Sequence, residues 1–279
     1  MTRIRQSTAL ITGGASGIGK LLGQRLLEKK CSKLVVWDID ENKLDQMASK
    51  WSEDGYDVYP YQVDVTRTSQ VDQMAADVLN QVGPVKILIN NAGIVVGKNF
   101  QDHTASEIDR TIDVNIRGVM QVTRAFLPAM IQAGSGHIVN ISSAAGMIPN
   151  PQMSVYAGSK WAILGWSESL RLELEQLHRR LRVTTVTPSY IDTGMFEGVK
   201  APLLTPLLQP DEIVDQIIAA IQQDKILVRA PRIVNLLPLL RGVLPTRLFD
   251  FAAEQLGVYD SMRGFKSRGD QQERYKPEV

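Results

Sequence analysis

Tyr156 and Lys160 lie four residues apart at the start of a predicted helix, so they share one face of it, one turn apart. A phenol normally keeps its proton to about pH 10, and a neighbouring ammonium group lowers that pKa by stabilising the phenolate. We therefore predict that Lys160 lowers the pKa of Tyr156, which can then exchange a proton with an alcohol or a carbonyl near neutral pH. A solvated helix face without a chemical role is the alternative interpretation of this spacing.

A glycine-rich turn joins the first predicted strand, residues 8–12, to a predicted helix over residues 17–29. Glycines let the backbone turn tightly and approach a pyrophosphate, whose charge is stabilised at a helix N-terminus. An ordinary glycine-rich connection is the alternative, but a strand before the turn and a helix after it are the context that dinucleotide binding requires. The cofactor-binding residues predicted in this turn are Gly13, Ser16, Gly17, Ile18 and Gly19.

Two acids end the next two predicted strands, residues 34–37 and 57–63. Asp38 follows the glycines by about 20 residues, where a carboxylate can bind the ribose hydroxyls of NAD and repel the 2′-phosphate of NADP. Asp64 stands where it can meet the adenine amino group. A helix cap is the alternative for each acid. Ile39 and Val65, the residues that follow the two acids, are assigned to the same adenosine site.

Strands and helices alternate along residues 1–230, which indicates right-handed crossovers and a parallel sheet covered on both faces. The remaining predicted strands are 86–89, 137–141, 182–187 and 226–228, and the remaining predicted helices are 42–51, 69–82, 104–132, 154–179 and 211–222. The strands are nearly continuous apolar runs, as burial on both faces requires. We predict an α/β fold of Rossmann type: a doubly wound parallel sheet of about seven strands, plus a C-terminal helical extension.

The composition is that of an ordinary globular chain, with 279 residues, 44% hydrophobic and 22% charged. A net charge of +1 gives no reason to expect nucleic acid as a partner. Three histidines without partners at ligand spacing predict no metal site. No apolar run is long enough for a transmembrane helix, and the first strand begins too early to leave room for a signal peptide. The single cysteine, Cys31, fits a reducing compartment, and we expect a cytoplasmic protein.

Further segments complete a pattern that resembles the classical short-chain dehydrogenase/reductase family. Asn90-Asn-Ala-Gly93 follows the fourth strand as the family's NNAG motif does. Ser143 precedes Tyr156 by thirteen residues, the usual position of the catalytic serine, and Asn115 falls at the family's active-site asparagine. Residues 188–193 look like the loop that holds the nicotinamide, although the family usually has Pro-Gly where this chain has Pro188-Ser189.

The resemblance implies hydride transfer between NAD(H) and an alcohol or carbonyl. Tyr156 exchanges the proton, Ser143 hydrogen-bonds the substrate oxygen, and Lys160 binds the nicotinamide ribose. Asn115 holds a water that links Lys160 to solvent, or else is a polar helix residue with no catalytic part. Ser142 and His137 are interpreted as structural residues. The further cofactor-binding residues implied are Asn91, Ala92, Gly93, Tyr156, Lys160, Pro188, Ile191 and Thr193.

Two apolar stretches, residues 189–209 and 231–258, favour a small hydrophobic substrate. The second stretch resembles that of retinol and hydroxysteroid dehydrogenases, which act on lipid-like molecules. It can lie at a membrane surface, line the substrate pocket or contact a second subunit, and these three readings stay open. We predict a catalytic domain over residues 1–230 and an extension over residues 231–279 packed on it, with a mobile tail from residue 266.

The leading prediction is an NAD-dependent oxidoreductase that acts on a steroid-, retinoid- or lipid-like alcohol or carbonyl. Alternatives are a non-catalytic NAD-binding sensor or scaffold, a reductase of small carbonyl compounds that uses NADP, and a peripheral membrane protein that works through residues 231–258. The family's pairing of its two long helices across a subunit interface implies a homodimer or homotetramer. The complete set of Ser143, Tyr156 and Lys160 favours the enzyme.

Overall fold

The computed structural model of the chain describes residues 1–177 and 179–265, which form one parallel sheet covered by helices. The seven strands are β1 (Thr8–Thr12), β2 (Lys33–Asp38), β3 (Val58–Gln62), β4 (Ile87–Asn90), β5 (Ser135–Ile141), β6 (Arg180–Pro188) and β7 (Leu227–Ala230). Their order is β3-β2-β1-β4-β5-β6-β7. Because the order reverses between β1 and β4, this is a doubly wound sheet, and the predicted fold class is confirmed.

Nine α-helices are described: α1 (Gly17–Glu28), α2 (Glu41–Glu53), α3 (Thr68–Gln81), α4 (Ala105–Ile112), α5 (Val119–Gln132), α6 (Ser154–Gln176), α7 (Pro210–Gln223), α8 (Leu237–Val243) and α9 (Thr246–Gln255). The predicted single helix over residues 104–132 is wrong in one respect, since a π-helical segment, Asp113–Gly118, separates α4 from α5. A capping box formed by Thr104 and Glu107 begins α4.

Successive strand residues point into two separate hydrophobic layers, one on each face of the sheet. Ala9 and Ile11 of β1 pack with α1 and α7, whereas Leu10 packs with the layer of α3, α5 and α6. In β2, Val35 and Trp37 join Leu10 in that second layer. Burial on both faces explains why the middle residues of these two strands, 9–11 and 34–37, are all apolar.

Parallel pairing brings the carboxyl ends of the central strands to one edge of the sheet. Thr12 at the end of β1 is in register with Trp37 and with Asn90, and Asn90 is in register with Asn140 near the end of β5. The loops after β1, β2, β4, β5 and β6 therefore begin at nearly one level. A ligand can contact all of them at once, as is usual where the strand order reverses.

The segment after β7 covers the loop that follows β5. A 3₁₀ helix, Arg232–Leu236, leads into α8, and Val234 is buried against Ala144 and Met147. Arg241 of α8 donates a 2.9 Å hydrogen bond to the carbonyl oxygen of Met147 and stacks 4.3 Å above the centre of the Trp161 ring. These contacts tie the segment to the loop after β5 and to α6. The predicted mobile tail, residues 266–279, lies outside the described residues.

Candidate active site

A cleft of about 1010 Å³ opens over the carboxyl edge of the sheet. It is lined by nearly all of the residues predicted to act in catalysis or cofactor binding: Gly13, Ser16, Gly17, Ile18, Asp38, Ile39, Asp64, Val65, Asn91, Ala92, Gly93, Ser143, Tyr156, Lys160, Pro188, Ile191 and Thr193. The two exceptions, Gly19 and Asn115, do not line the cleft. Residues scattered over about two thirds of the chain therefore meet at one site.

The glycine turn is shaped by close backbone contacts. Gly13 has a φ of +63°, and a Cβ atom there would lie 2.9 Å from the Cα of Ala92. The Asn91 side chain donates a 2.8 Å hydrogen bond to the carbonyl oxygen of Gly13 and fills the space beside Gly19, where a Cβ would lie 2.5 Å from Asn91 Nδ2. The NNAG loop thus supports the turn, and Gly19 packs beneath it.

Asp38 connects the end of β2 to this turn. One carboxylate oxygen accepts a 2.9 Å hydrogen bond from the backbone N–H of Ala15, and the other accepts one of 3.1 Å from that of Asp40. The side chain that caps α2 is Asp40, so the helix-cap alternative fails for Asp38. Each carboxylate oxygen keeps acceptor capacity for a ligand in the cleft.

Asp64 turns the chain at the end of β3. Its Oδ1 atom accepts hydrogen bonds from the backbone N–H of Thr66, at 2.9 Å, and from the Thr66 hydroxyl, at 2.7 Å. The N-cap of α3 is Arg67, so Asp64 stabilises the turn before that helix rather than its first N–H groups. Its carboxylate also borders the cleft beside Val65.

Two cations, Lys43 and Arg110, border the cleft. Lys43 is held by Asp40 in an ion pair of 2.8 Å. Arg110, four residues before Val114 on the same helix face, lines the cleft with it and was not predicted. The four-residue spacing of Arg110 and Val114, next to Asn115, is the only sequence signal that pointed to these two residues.

The predicted catalytic side chains come together where β5 ends. Tyr156 is buried and hydrogen-bonded to Ser143. Lys160 Nζ lies 5.6 Å from the centre of the Tyr156 ring and donates a 3.0 Å hydrogen bond to the carbonyl oxygen of Ile141. The start of α6 and the end of β5 therefore position all three groups.

The electrostatics of this site differ from the sequence prediction. Burial raises the pKa of Tyr156 to about 12, and only the hydrogen bond from Ser143 lowers it. Burial also lowers the pKa of Lys160 to about 8. Lys160 does not depress the phenol pKa here, because removing both groups from water disfavours both charged forms. The predicted activation of Tyr156 by Lys160 is thus not seen in this structure.

Asn115 is fully buried in the π-helical segment and makes three side-chain hydrogen bonds. Its Oδ1 accepts from the backbone N–H of Ile94 at 2.9 Å, and its Nδ2 donates to the Ile94 carbonyl oxygen at 2.9 Å and to the Ser159 hydroxyl at 3.0 Å. The side chain therefore fixes the loop after β4 against α6, directly behind Gly93 and Lys160.

Ser142 and His137 both have structural contacts, as expected. Ser142 donates a 2.8 Å hydrogen bond to the carbonyl oxygen of Lys160. His137 lies between the hydroxyls of Thr2 and Thr184, at the far end of β5 from the cleft. Among the described residues, no group of histidine, cysteine or acidic side chains is arranged to hold a metal ion.

A second, smaller cavity of about 130 Å³ adjoins the cleft and shares Ser143, Ser189 and Phe196 with it. Its walls come from the loops after β5 and β6 and from residues 233–258. The chain has Pro188-Ser189 where the family usually has Pro-Gly, and the backbone here keeps its hydrogen bond. The N–H group of Ser189 donates to the carbonyl oxygen of Ala230 at 2.8 Å. Ser143 thus lines both the cleft and the apolar cavity.

Comparison with known proteins gives consistent results. The family model described as short chain dehydrogenase matches residues 7–203. Epidermal retinol dehydrogenase 2 of Mus musculus is 39% identical over 260 residues, which cover 92% of this chain and 84% of that protein. Estradiol 17-beta-dehydrogenase 11 of Mus musculus is 33% identical over 261 residues, covering 93% of this chain and 87% of that protein.

Among solved structures, a short chain dehydrogenase/reductase from Burkholderia phymatum in complex with NAD superposes with a TM-score of 0.77. It is 23% identical, and the superposition covers 91% of this chain and 97% of that one, which supports the fold. The family match and the two dehydrogenase relatives carry the assignment. The chain belongs to the short-chain dehydrogenase family and is an oxidoreductase.

Proposed function

We propose that the protein transfers a hydride between NAD(H) and a hydrophobic alcohol or the corresponding carbonyl compound, with Ser143, Tyr156 and Lys160 as its catalytic set. The observation that carries this proposal is the buried hydrogen bond between Tyr156 and Ser143, placed where the long cleft meets the apolar cavity. A proton-transfer pair there can reach a substrate oxygen from one side while a cofactor reaches the carbon from the other.

The residues of the cleft fit a dinucleotide. Gly13 and Gly17 both have positive φ angles, and near Gly17 a Cβ would find only Thr193 within 4 Å. The backbone is therefore accessible to a pyrophosphate at the N-terminus of α1. Asp38 would hold the adenosine ribose, and its charge favours NAD over NADP. Lys43, the nearest candidate for a 2′-phosphate, is already paired with Asp40.

Side chains of the protein transfer the proton. Nicotinamide supplies the acceptor or donor of the hydride when it is bound. Tyr156 accepts the hydroxyl proton during oxidation and returns it during reduction, and Ser143 hydrogen-bonds the same oxygen as its charge develops. A cation at Lys160 stabilises the phenolate only if its own charge is kept.

The apolar cavity supports a hydrophobic substrate. It lies beside Ser143 and its wall includes Ile148, Leu237 and Leu256. The relatives' names refer to retinol and estradiol, both of which are largely apolar alcohols. We infer a lipid-like secondary or primary alcohol, or its ketone or aldehyde.

The first experiment replaces Tyr156 with Phe. We expect turnover to fall by about 10⁴-fold or more, because the proton acceptor is lost, while NAD affinity stays within about threefold. Rates are followed by the absorbance of reduced nicotinamide with steroid, retinoid and long-chain alcohols, and NAD affinity by calorimetry. The matched control is Tyr61→Phe, which removes a hydroxyl that donates a hydrogen bond to Gln81 at the edge of the sheet.

Near-normal rates in the Tyr156→Phe variant would remove Tyr156 from the mechanism. A wild type that binds NAD but oxidises and reduces none of these compounds would favour the sensor or scaffold. Faster reaction with NADP and small carbonyl compounds would favour the reductase alternative.

We also infer that the outer face of residues 236–251 contacts a lipid surface. Leu239, Val243 and Phe251 are 62%, 72% and 59% exposed on a segment whose other side lines the apolar cavity. Arg247 lies beside them with its side chain 97% exposed, where it can meet anionic headgroups. No helix among the described residues is long and apolar enough to cross a membrane.

The expected homodimer or homotetramer stays a prediction.

A further inference from the structure

Phe196 lies on the boundary between the cofactor cleft and the apolar cavity. Three of the described residues line both spaces: Ser143, Ser189 and Phe196. Because the two serines are small, Phe196 supplies the only large side chain at this boundary, and it is partly exposed. A molecule with its reacting carbon in the cleft and an apolar group in the cavity has to pass between these three residues.

Two tyrosines hold the ring of Phe196 at this place. Its centre lies 6.3 Å from that of the Tyr156 ring and 5.2 Å from that of the Tyr190 ring, and both pairs are arranged edge to face. Tyr156 lines the cleft, whereas Tyr190 lines the cavity. The Tyr190 hydroxyl is itself fixed by two hydrogen bonds of 2.8 Å, one from Asn150 Nδ2 and one shared with Ser261.

The cavity has room for about one aromatic ring. Its volume of about 130 Å³ is close to that of an engineered cavity of about 150 Å³ that binds benzene. A phenyl group can therefore occupy the cavity while a narrower part of the same molecule crosses the boundary to the cleft. The boundary then decides how bulky a substrate can be next to its reacting carbon.

We propose that Phe196 limits the substrates to molecules that are unbranched at the carbon next to the reacting one. This inference rests on the proposed function and narrows its substrate class. With the reacting oxygen at Ser143 and Tyr156, the neighbouring carbon lies beside the ring of Phe196. Hydrogens on that carbon leave the ring in its contacts with the two tyrosines, whereas methyl groups push against it. Extra methyl groups in a packed site force such shifts and cost free energy.

The test compares hydrocinnamyl alcohol with its analogue that carries two methyl groups on the carbon next to the carbinol. Both alcohols offer a phenyl ring of the right size to the cavity. We measure kcat/KM with NAD by the absorbance of reduced nicotinamide. We expect the wild type to prefer the unbranched alcohol by about 100-fold, and Phe196→Ala to prefer it by about tenfold or less, because the branched alcohol reacts faster. Phe196→Leu should lie between them.

Met195→Ala is the matched control, because Met195 precedes Phe196 in the same loop and lines the cleft but not the cavity. It should change the ratio of the two kcat/KM values by less than about threefold. Equal kcat/KM values of the two alcohols in the wild type would overturn the proposal. So would an unchanged preference in the two Phe196 variants.

Binding distinguishes a failure of this proposal from a failure of the proposed reaction. Calorimetry with NADH present measures the affinity for both alcohols without oxidation, and the wild type should bind the unbranched one more tightly. Binding of neither alcohol would also overturn the role of Phe196. A wild type that binds them in the expected order, loses this order in Phe196→Ala and oxidises no alcohol at all would leave that role standing and refute the reaction.

Discussion

At the scale of single residues, burial shifts the pKa values of three groups. It raises the pKa of Tyr156 to about 12, lowers that of Lys160 to about 8 and lowers that of His137 to about 4. In each case the neutral form is favoured because the charged form loses its hydration. For Tyr156 and Lys160 this matters to the reaction, whereas His137 lies far from the cleft and affects only stability.

We predict that the protein loses stability in acid because of His137. Its folded pKa of about 4 lies below the ordinary value of 6.5, so its contribution is complete above pH 6.5 and is lost as the pH falls through 4. Between pH 7 and pH 5 this amounts to about 2 kcal/mol of unfolding free energy. In His137→Gln, whose amide can bond Thr2 and Thr184 without titrating, that loss should be largely absent. Urea unfolding of both proteins at the two pH values measures it, and an equal loss in both would refute the assignment.

At the scale of elements, the π-helical segment between α4 and α5 is what brings Asn115 to the site. Gly118 at its end leaves room for Val65, because a Cβ there would lie 2.9 Å from Val65 Cγ2. The segment therefore packs closely on the loop after β3 while Asn115 reaches the loop after β4. π-helical turns inside α-helices are frequent at functional sites, and this one links two loops of the cleft.

Asn115→Ala should weaken both the fold and cofactor binding. It leaves the Ile94 N–H and C=O groups and the Ser159 hydroxyl without their partner, which we expect to cost about 2–3 kcal/mol of unfolding free energy. NAD affinity should fall by about tenfold, because Gly93 and Ile94 line the cleft. Urea unfolding and calorimetry are the measurements. Asn99→Ala, at an exposed position, should change stability by less than about 0.5 kcal/mol, and equal effects of the two variants would contradict this role for Asn115.

At the scale of the whole molecule, apolar side chains of the two long helices lie inside the subunit. Val122, Leu170 and Leu174, on the helices that the family pairs across a subunit interface, are buried. They cover the sheet and give no independent support for an oligomer. Trp161, 40% exposed, is itself partly covered by Arg241. The face of residues 236–251, by contrast, presents six exposed apolar side chains: Leu236, Leu239, Leu240, Val243, Leu248 and Phe251.

The lipid contact of that face is tested by co-sedimentation with vesicles of phosphatidylcholine and phosphatidylserine. Replacing both Leu239 and Val243 with Ser should lower the bound fraction by about tenfold, because two apolar side chains no longer enter the interface. Leu172→Ser, at an exposed apolar position on α6, should leave binding unchanged. Wild type that stays in the supernatant would refute the contact. A dimer in light scattering that the double variant loses would assign the face to a second subunit instead.

The sequence by itself determined the alternation of strands and helices, the glycine turn, and the spacing of Ser143, Tyr156 and Lys160, because these depend on local periodicity and on residue types at short range. From them, and from the family resemblance, the sheet, its direction and more than half of the residues around the cleft could be predicted. The π-helical segment could not, since it depends on how Gly118 meets Val65, a residue distant in the chain.

Only the tertiary structure decided the pKa shifts and the cavity beside Ser143. Tyr156 and Lys160 share a helix face as predicted, yet their pKa values follow from how completely the surrounding loops remove them from water. Asn150, Tyr190 and Ser261 lie up to 111 residues apart, so nothing in their local sequence indicated one hydrogen-bonded chain. Burial and long-range hydrogen bonds are properties of the packed molecule, and short-range patterns do not contain them.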